Sequence, residues 1–177
     1  MHEGEDILEG DLMAINVEEA LNLVYKLALP LGTEIAPIEN SVHRVLSETI
    51  TASHSLPSFD NSAMDGYAVR ASDAGKTLQQ SCTIFAGDGS EIRMVEDQCI
   101  RIMTGAKIPQ GCEAIVPIED VVVNEDQVTF PSSIKPSQHI RLKGEDIQAG
   151  MTLLEEGTML HAHHISLLAS QGITHVK

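Results

Sequence analysis

The densest group of polar side chains in this sequence lies in the segment Asp60–Tyr67. It holds two carboxylates, an amide and a hydroxyl, followed by a glycine that can adopt a left-handed turn. Such a loop could hold Mg²⁺, because magnesium needs only one or two protein carboxylates beside several waters. A calcium EF-hand is excluded, since a loop counted from Asn61 would need its terminal Glu at Ser72. The alternative is a loop of Asx turns, whose side chains bond to their own backbone.

Two further polar groups follow later in the chain. The apolar stretch in Arg101–Ala106 ends in Thr104-Gly105-Ala106, a turn expected to expose a hydroxyl and unpaired backbone N–H groups to a phosphate or another backbone. An ordinary strand end would have the same sequence. In Lys143–Asp146 a cation and a glycine precede two acids, which by itself is a weak indication of function.

Histidines and cysteines offer weaker candidates. His161, His163 and His164 stand beside an acid-free stretch at the start of a predicted helix, which is more typical of capping or surface than of a metal site. The three cysteines, with no C-x-x-C pair, predict free thiols and a reducing compartment. The sequence contains no P-loop, dinucleotide-binding, nucleophile-elbow or H-E-x-x-H motif.

Composition and charge narrow the expected partners. The 177 residues are 42% apolar and 21% charged, which is typical of a globular chain. Eleven Lys and Arg against 26 Asp and Glu give a net charge of −15, so the average field repels a phosphate backbone. No apolar run approaches the ~18 residues of a membrane span. We therefore expect a cytoplasmic protein that binds neither nucleic acid nor membrane.

The elements that must position the polar groups begin with a helix. Acids crowd the first eleven residues, which predicts a disordered acidic tail over 1–15. Apolar residues then recur at helical spacing over 17–29, with Asn16 as N-cap and Glu19 placed to complete a capping box. This apolar stripe must pack on something.

The rest of the chain has mostly β character. Strands at 33–38 and 48–52 are predicted to flank a helical turn at 41–46, and a second helix is predicted over 163–170. Short strand-like runs between turn signals are Cys82–Ala86, Cys99–Met103, Ala114–Ile118, Val121–Val123 and Gln127–Phe130. They predict a small β-barrel or sandwich over 53–146. A strand that begins just before Lys177 suggests that a longer protein continues beyond it.

Read together, the polar groups resemble the N-terminal half of the MoeA family of molybdenum cofactor synthesis and the equivalent E-domain of gephyrin. The resemblance extends from about Asn16 to Lys177. The segments that carry it are His43–Leu46, Leu56–Arg70, Arg101–Ala106, Gly111–Val116, Lys143–Ile147 and Leu167–Ile173. Their order and composition make the resemblance specific.

This resemblance implies a molybdopterin molybdotransferase, an elongated homodimer that uses Mg²⁺ to insert molybdate into adenylated molybdopterin with release of AMP. It implies an α+β, predominantly β fold, in which a β-barrel-like domain (53–146) is inserted in a smaller mixed domain (30–52 plus 147–177), preceded by the helix at 16–29. In the family, that helix packs on a third domain. The pterin site lies in a cleft between the third domain and the β-rich domain of the other subunit.

The resemblance also assigns the candidate site residues. Asp65, Thr104 and Asp146 are the expected catalytic residues. Asp65 is also the expected metal ligand, and Thr104 a hydrogen-bonding positioner. Because molybdate and phosphate are anions, the two carboxylates are useful only if they hold Mg²⁺, position a water or accept its proton. The residues expected to shape the loop and contact substrate are Asp60, Asn61, Ser62 and Gly105.

Two other functions remain open at this stage. One is a non-catalytic scaffold or dimerisation module, as gephyrin's role in receptor anchoring suggests for this architecture. The other is a free-standing two-domain protein that acts with a separate pterin-binding partner. Three separated polar groups favour the enzyme, although the chain alone is expected to be inactive without the third domain.

Overall fold

The computed structural model describes residues 15–29 and 31–177, so nearly all of the predicted acidic tail lies outside the described residues. Two α-helices occur in the described part, α1 (Val17–Leu27) and α2 (Ala162–Ser170). Its strands are β1 (Ala36–Pro37), β2 (Ile50–Thr51), β3 (Asn61–Ser62), β4 (Gly66–Val69), β5 (Thr77–Ile84), β6 (Gln98–Ile102), β7 (Ala114–Pro117), β8 (Val122–Asn124), β9 (Gln127–Thr129), β10 (Ile140–Arg141), β11 (Thr152–Leu154) and β12 (His175–Val176). Neither helix has the length and apolarity to cross a membrane.

Helix α1 begins where its sequence predicts. The Asn16 side chain accepts a hydrogen bond from the Glu19 backbone N–H at 2.8 Å, and Glu19 accepts one from the Asn16 N–H at 3.2 Å. This capping box satisfies two of the backbone donors that every helix start leaves free. The helix ends at Leu27, earlier than the predicted Leu29, because Ala28 is already extended. None of the helical residues is buried.

A six-stranded mixed sheet organises residues 66–129. Its strand order is β7-β4-β6-β5-β9-β8, and all neighbours are antiparallel except the parallel pair β5–β6. Strands β8 and β9 form the predicted hairpin, although each is slightly shifted from its predicted range. Strand β4 lies between β7 and β6, so the residue before it and the residue after β6 come to the same end of the sheet.

Both faces of the sheet are buried in apolar clusters. Tyr67, Val69 and Cys99 lie on one face, where the ring of Phe130 meets that of Tyr67 edge-on at 6.0 Å. Ala68 and Ile100, which alternate with them along the strands, lie in the cluster on the other face. This alternation explains why β4 and β7 are buried at every position.

A third apolar cluster lies apart from the sheet. In this cluster the fully buried Leu168 of α2 packs with residues that precede residues 66–129 in the sequence, such as Leu46, and with residues that follow them, such as Leu160. Strand β12 pairs with β1, and β11 with β2, so the chain's last described strands return to its early ones. The fold class, α+β and predominantly β with an N-terminal helix, is confirmed. The domain boundaries at residues 53 and 146 stay a prediction.

The helical turn predicted at 41–46 is wrong. A 3₁₀ turn occurs earlier, at Ile38–Asn40, and His43 has a φ of 67°, which a right-handed helix does not allow. Val45 instead makes an antiparallel bridge to Met159. Tertiary pairing with the chain near α2 therefore overrides the local helical pattern.

The three thiols should differ sharply in reactivity. Burial raises the pKa of Cys99 to about 12 and that of Cys112 to about 11, whereas Cys82 is exposed. Because the thiolate is the nucleophile, iodoacetamide at pH 7.5 should modify Cys82 alone in the native chain and all three cysteines in urea. Intact-mass spectrometry counts the adducts, with Cys82→Ser as the control that should lose native labelling. Rapid native labelling of Cys112 would contradict the described packing.

Candidate functional site at one end of the sheet

The candidate site forms where β4 begins and β6 ends. Asp65 immediately precedes β4, and Thr104 follows β6 by two residues, while the register pairs Gly66 with Ile102. The sequence suggests a left-handed turn at Gly66, which is wrong, since this residue is part of β4 and its φ is not positive. A glycine is needed because a Cβ here would overlap the backbone carbonyl of Val116 on β7.

Asp65 and Thr104 form a closely bonded pair. The backbone N–H and the hydroxyl of Thr104 both donate to Asp65 Oδ1, each at 2.7 Å. Both residues are exposed, so the pair faces solvent at the sheet end. Two of the three expected catalytic residues are thus brought together by strand pairing across 39 residues of sequence.

The environment of Asp65 favours its charged form. The Thr104 backbone N–H, and next the Thr104 hydroxyl, lower the pKa of Asp65. Desolvation opposes them, and the positive charge of Arg101 lowers this pKa by the smallest contribution of the four. Hydrogen bonds donated to a carboxylate stabilise the ionised state. Asp65 is therefore a carboxylate at neutral pH.

The turn after β6 differs from its prediction in one respect. The sequence predicts unpaired N–H groups in Thr104-Gly105-Ala106, but all three have acceptors: Asp65 Oδ1 for Thr104, the Ser62 carbonyl for Gly105 at 2.8 Å, and the Met103 carbonyl for Ala106 at 3.0 Å. Gly105 has a φ of 80°, as a tight turn requires. The turn is therefore tied to β3 rather than open to a ligand's phosphate.

Within the Asp60–Ser62 group, only Asp60 is exposed. Asn61 and Ser62 are 8% and 1% exposed, and the Ser62 hydroxyl donates to the Met64 carbonyl at 2.6 Å. Asp60 Oδ1 accepts from the Lys143 N–H at 2.7 Å, which joins this loop to the third polar group. These bonds support the predicted role of Asp60 and Ser62 in shaping the loop. That Asp60, Asn61, Ser62 and Gly105 contact a substrate stays a prediction.

Asp146 is engaged elsewhere. Arg141 Nη2 lies 2.7 and 2.6 Å from the two carboxylate oxygens of Asp146, and Arg141 Nε lies 3.6 Å from Glu145. The hydrogen bonds that Arg141 donates to Asp146 raise the pKa of Arg141, so this ion pair is held in its charged form. Strand β10 pairs Arg141 with Asn61, which links the pair to the Asp60–Tyr67 loop. Among the described residues, no hydrogen bond or ion pair joins Asp146 to the side chain of Asp65 or to Thr104.

The sequence alone missed two arginines. Arg141 lies five residues before Asp146. This spacing is not part of a known motif, so nothing in the sequence indicated the ion pair. Arg101 left a signal, because it is a charged residue of the strand Gln98–Ile102 placed between Ile100 and Ile102, which are both fully buried.

The site fits a magnesium ion held mainly by substrate and water. No described residue donates a hydrogen bond to Asp65 Oδ2, and the side chain is exposed. Across the described residues, no group of three or more His, Cys, Asp and Glu is arranged to hold a metal. Mg²⁺ binds through as few as one or two carboxylates together with phosphate oxygens, so Asp65 meets this minimum.

The histidines at the start of α2 act at the helix terminus. The backbone N–H of His161, the N-cap residue, donates to His164 Nδ1 at 3.1 Å. The rings of His163 and His164 lie 4.0 Å apart, centre to centre. Burial, and then the charges of His163 and His161, lower the pKa of His164.

Acid should therefore weaken this end of the protein. Because His164 binds a proton less readily in the folded chain than in the unfolded one, stability is full above the ordinary pKa of 6.5 and falls as the pH drops below it. His164→Gln keeps an acceptor for the His161 N–H but cannot titrate. We expect it to reduce the fall in thermal midpoint between pH 7.5 and 5.5, while His175→Gln leaves that fall unchanged. Equal falls in all three proteins would contradict this account.

Known proteins share this fold. The structure of the molybdopterin biosynthesis MoeA protein from Pyrococcus horikoshii OT3 superimposes with a TM-score of 0.83 and 31% identity, covering 90% of this chain and 44% of that one. The molybdopterin molybdenumtransferase of Haemophilus influenzae is 43% identical over 162 residues, and that of Bacillus subtilis 38% over 173 residues. The alignments cover 88% and 92% of this chain, but only 39% and 40% of those relatives.

The shared fold and the sequence identity thus place the chain in a class of molybdopterin biosynthesis proteins. The model of the MoeA N-terminal region (domain I and II) matches residues 15–172, and the chain belongs to that family. The predicted resemblance is confirmed. The chain spans about 40% of the length of the curated relatives it matches.

Proposed function

We propose that this chain is the N-terminal portion of a molybdopterin molybdotransferase in molybdenum cofactor biosynthesis. The enzyme inserts molybdate into adenylated molybdopterin and releases AMP, in the cytoplasm and as a homodimer. The observation that carries the proposal is the exposed Asp65–Thr104 pair in a chain of this family. The names of the relatives, molybdopterin molybdenumtransferase, support the substrate class.

Asp65 has the properties of a group that acts on a phosphoanhydride. Thr104 fixes Oδ1 with two hydrogen bonds, which orients the carboxylate and keeps it charged. Oδ2 is left to accept a proton from an attacking water or to hold Mg²⁺. In either role Asp65 acts during cleavage of the bond that releases AMP.

Thr104 and Asp146 have supporting roles in this proposal. Thr104 positions Asp65, since both of its donors are directed at one oxygen. Asp146 is a second acid whose charge Arg141 compensates, so it supports the neighbouring loop without repelling an anionic substrate as strongly. Asp60, Asn61, Ser62 and Gly105 hold the loop against which the substrate lies.

Magnesium belongs to the proposal as a partner of the substrate phosphates. Asp65 would be its protein ligand, with water and phosphate oxygens completing the coordination. When bound, Mg²⁺ supplies positive charge that stabilises the developing negative charge of the phosphoanhydride.

The remainder of the cleft would come from the third domain of a partner subunit, as the family resemblance implies. The two alternatives, a scaffold or a two-domain partner of a separate pterin-binding protein, differ from the enzyme in what they need. A scaffold needs no charged Asp65, and a two-domain partner needs a second protein supplied in trans.

A chimera tests the proposal. Residues 15–172 of this chain replace the matched region of the Haemophilus influenzae relative, and AMP release from adenylated molybdopterin is followed with and without molybdate. We expect molybdate-dependent release from the chimera and none from the 177-residue chain alone. A chimera that folds and dimerises but stays inactive favours a scaffold. Turnover of ~1 s⁻¹ or more by the chain alone would overturn the proposed requirement for a third domain.

A further inference from the structure

Arg101 occupies an unusual place beneath the candidate site. It lies on β6, three residues before Thr104, and the register sets it opposite Tyr67, two residues after Asp65. Its strand neighbours Ile100 and Ile102 are on the opposite face and fully buried. The arginine therefore lies on one of the two strands whose ends carry the Asp65–Thr104 pair, directly opposite a residue of the other strand.

The guanidinium of Arg101 is held by an aromatic ring rather than by an acid. Its Cζ lies 5.0 Å from the centre of the Tyr67 ring, and Tyr67 is 3% exposed. Its Nη1 is buried and has no hydrogen-bond partner among the described residues. None of the ion pairs in the described part of the chain includes Arg101.

The unpaired Nη1 of Arg101 is costly for stability, although the side chain as a whole is only half-buried. A buried N–H without an acceptor loses its water and gains nothing in return. The other arginine at the site, Arg141, forms a direct ion pair with Asp146. The charge of Arg101 has no such partner. The strand register places Arg101 opposite Tyr67, two residues from Asp65, and its charge has a small lowering effect on the pKa of Asp65.

We propose that Arg101 is a positioning residue that supports the Asp65–Thr104 pair electrostatically, offsetting the charge of Asp65 so that an anionic substrate group can bind against it. The inference rests on the proposed function for its substrate class, a phosphoanhydride or oxyanion. In a chain of net charge −15, an anion approaching Asp65 meets repulsion. A cation on the neighbouring strand, close to this carboxylate, reduces the repulsion.

The local potential can be measured in the 177-residue chain without substrate. Paramagnetic relaxation of backbone amide protons is compared for a cationic and an anionic nitroxide of equal size. Arg101→Gln and Arg101→Met should lower the ratio of anionic to cationic relaxation at Thr104 and Gly105 by roughly twofold or more. Arg101→Lys, which keeps the charge, should preserve the ratio.

Arg93→Gln is the matched control, because Arg93 is exposed and its loss changes the net charge equally. It should leave Thr104 and Gly105 unaffected. Arg101→Met should also keep or raise the thermal midpoint, since it removes the unpaired donor. A lower midpoint with an unchanged potential would assign Arg101 a structural role and overturn the proposal.

A measurement on the wild-type chain decides the matter even if both neutral variants fail to fold. The amide of Thr104 should experience a less negative potential than that of Asp120, an exposed acid on the loop after β7. An equal or more negative potential at Thr104 overturns the proposal.

Kinetics on the chimera then connect the potential to substrate binding. Arg101→Gln and Arg101→Met should raise KM for adenylated molybdopterin about tenfold at low salt, with a smaller change in kcat, and the effect should shrink as salt is added. Arg101→Lys should restore KM. An unchanged KM overturns the functional part of the proposal. A wild-type chimera without activity would count against the proposed function only. The electrostatic potentials measured at Thr104 and Gly105 would still decide the role of Arg101.

Discussion

Asp65→Asn is expected to slow molybdate-dependent AMP release by the chimera about 10²–10⁴-fold, the range for loss of a positioned general base. The amide oxygen of Asn can still accept both hydrogen bonds from Thr104, so the loop keeps its shape. What the variant loses is the charge, and with it the ability to take a proton or to bind Mg²⁺ well. Its thermal midpoint should stay close to that of the wild type, because the side chain is exposed.

Asp120→Asn is the control for charge alone. Asp120 is also exposed and lies outside the candidate site, in the 3₁₀ turn after β7. We expect nearly normal AMP release from it. A stable Asp65→Asn variant with near-normal release at every Mg²⁺ concentration would remove Asp65 from the catalytic residues and favour a role in the turn alone.

Gly66→Ala should cause the largest loss of stability. A Cβ at this position would overlap the Val116 carbonyl oxygen and lie 2.9 Å from its carbon and 3.0 Å from Pro117 Cα. These are backbone atoms of the neighbouring strand β7, so they cannot move aside as a flexible side chain would. We expect the free energy of unfolding to fall by ~3 kcal/mol or more, at or beyond the upper end for overpacked sites.

Gly89→Ala provides the comparison for that measurement. A Cβ at Gly89 would have no atom within 4 Å, and its φ is not positive. Its free energy of unfolding, from urea denaturation, should change by no more than about 0.5 kcal/mol. If Gly66→Ala were as stable as Gly89→Ala, strands β4 and β7 could not be packed as described.

The sequence predicted local features well and distant contacts poorly. The capping box of α1 and the β8–β9 hairpin follow from neighbouring residues, so their signals lie within a few positions. The bridge from Val45 to Met159, and the hydrogen bond that the Ile38 N–H donates to the Thr174 carbonyl, join residues more than a hundred positions apart. Local spacing cannot encode such a partner.

The same distinction applies to the candidate site. Its residue types were visible in the Asp60–Tyr67 segment, and the family resemblance brought Thr104 and Asp146 to the same list. The sequence did not show which of these residues are hydrogen-bonded to each other. The strand register brings Thr104 to Asp65, whereas Asp146 is paired with Arg141. The role of Gly66 was also hidden, because it depends on how closely β7 approaches.

The central claim is that Asp65 and Thr104 act as one unit in molybdate insertion. A double-mutant cycle on the chimera, with Asp65→Asn, Thr104→Val and both together, tests it by the rate of molybdate-dependent AMP release. We predict that AMP release by the wild-type chimera depends on molybdate. We also predict that the double variant is at most about threefold slower than Asp65→Asn alone, because the effects of substituting residues that act as one unit are not additive. The claim would be contradicted if the fold-reduction in rate of the double variant equalled the product of the two single fold-reductions. It would also be contradicted if both single variants released AMP at nearly the wild-type rate.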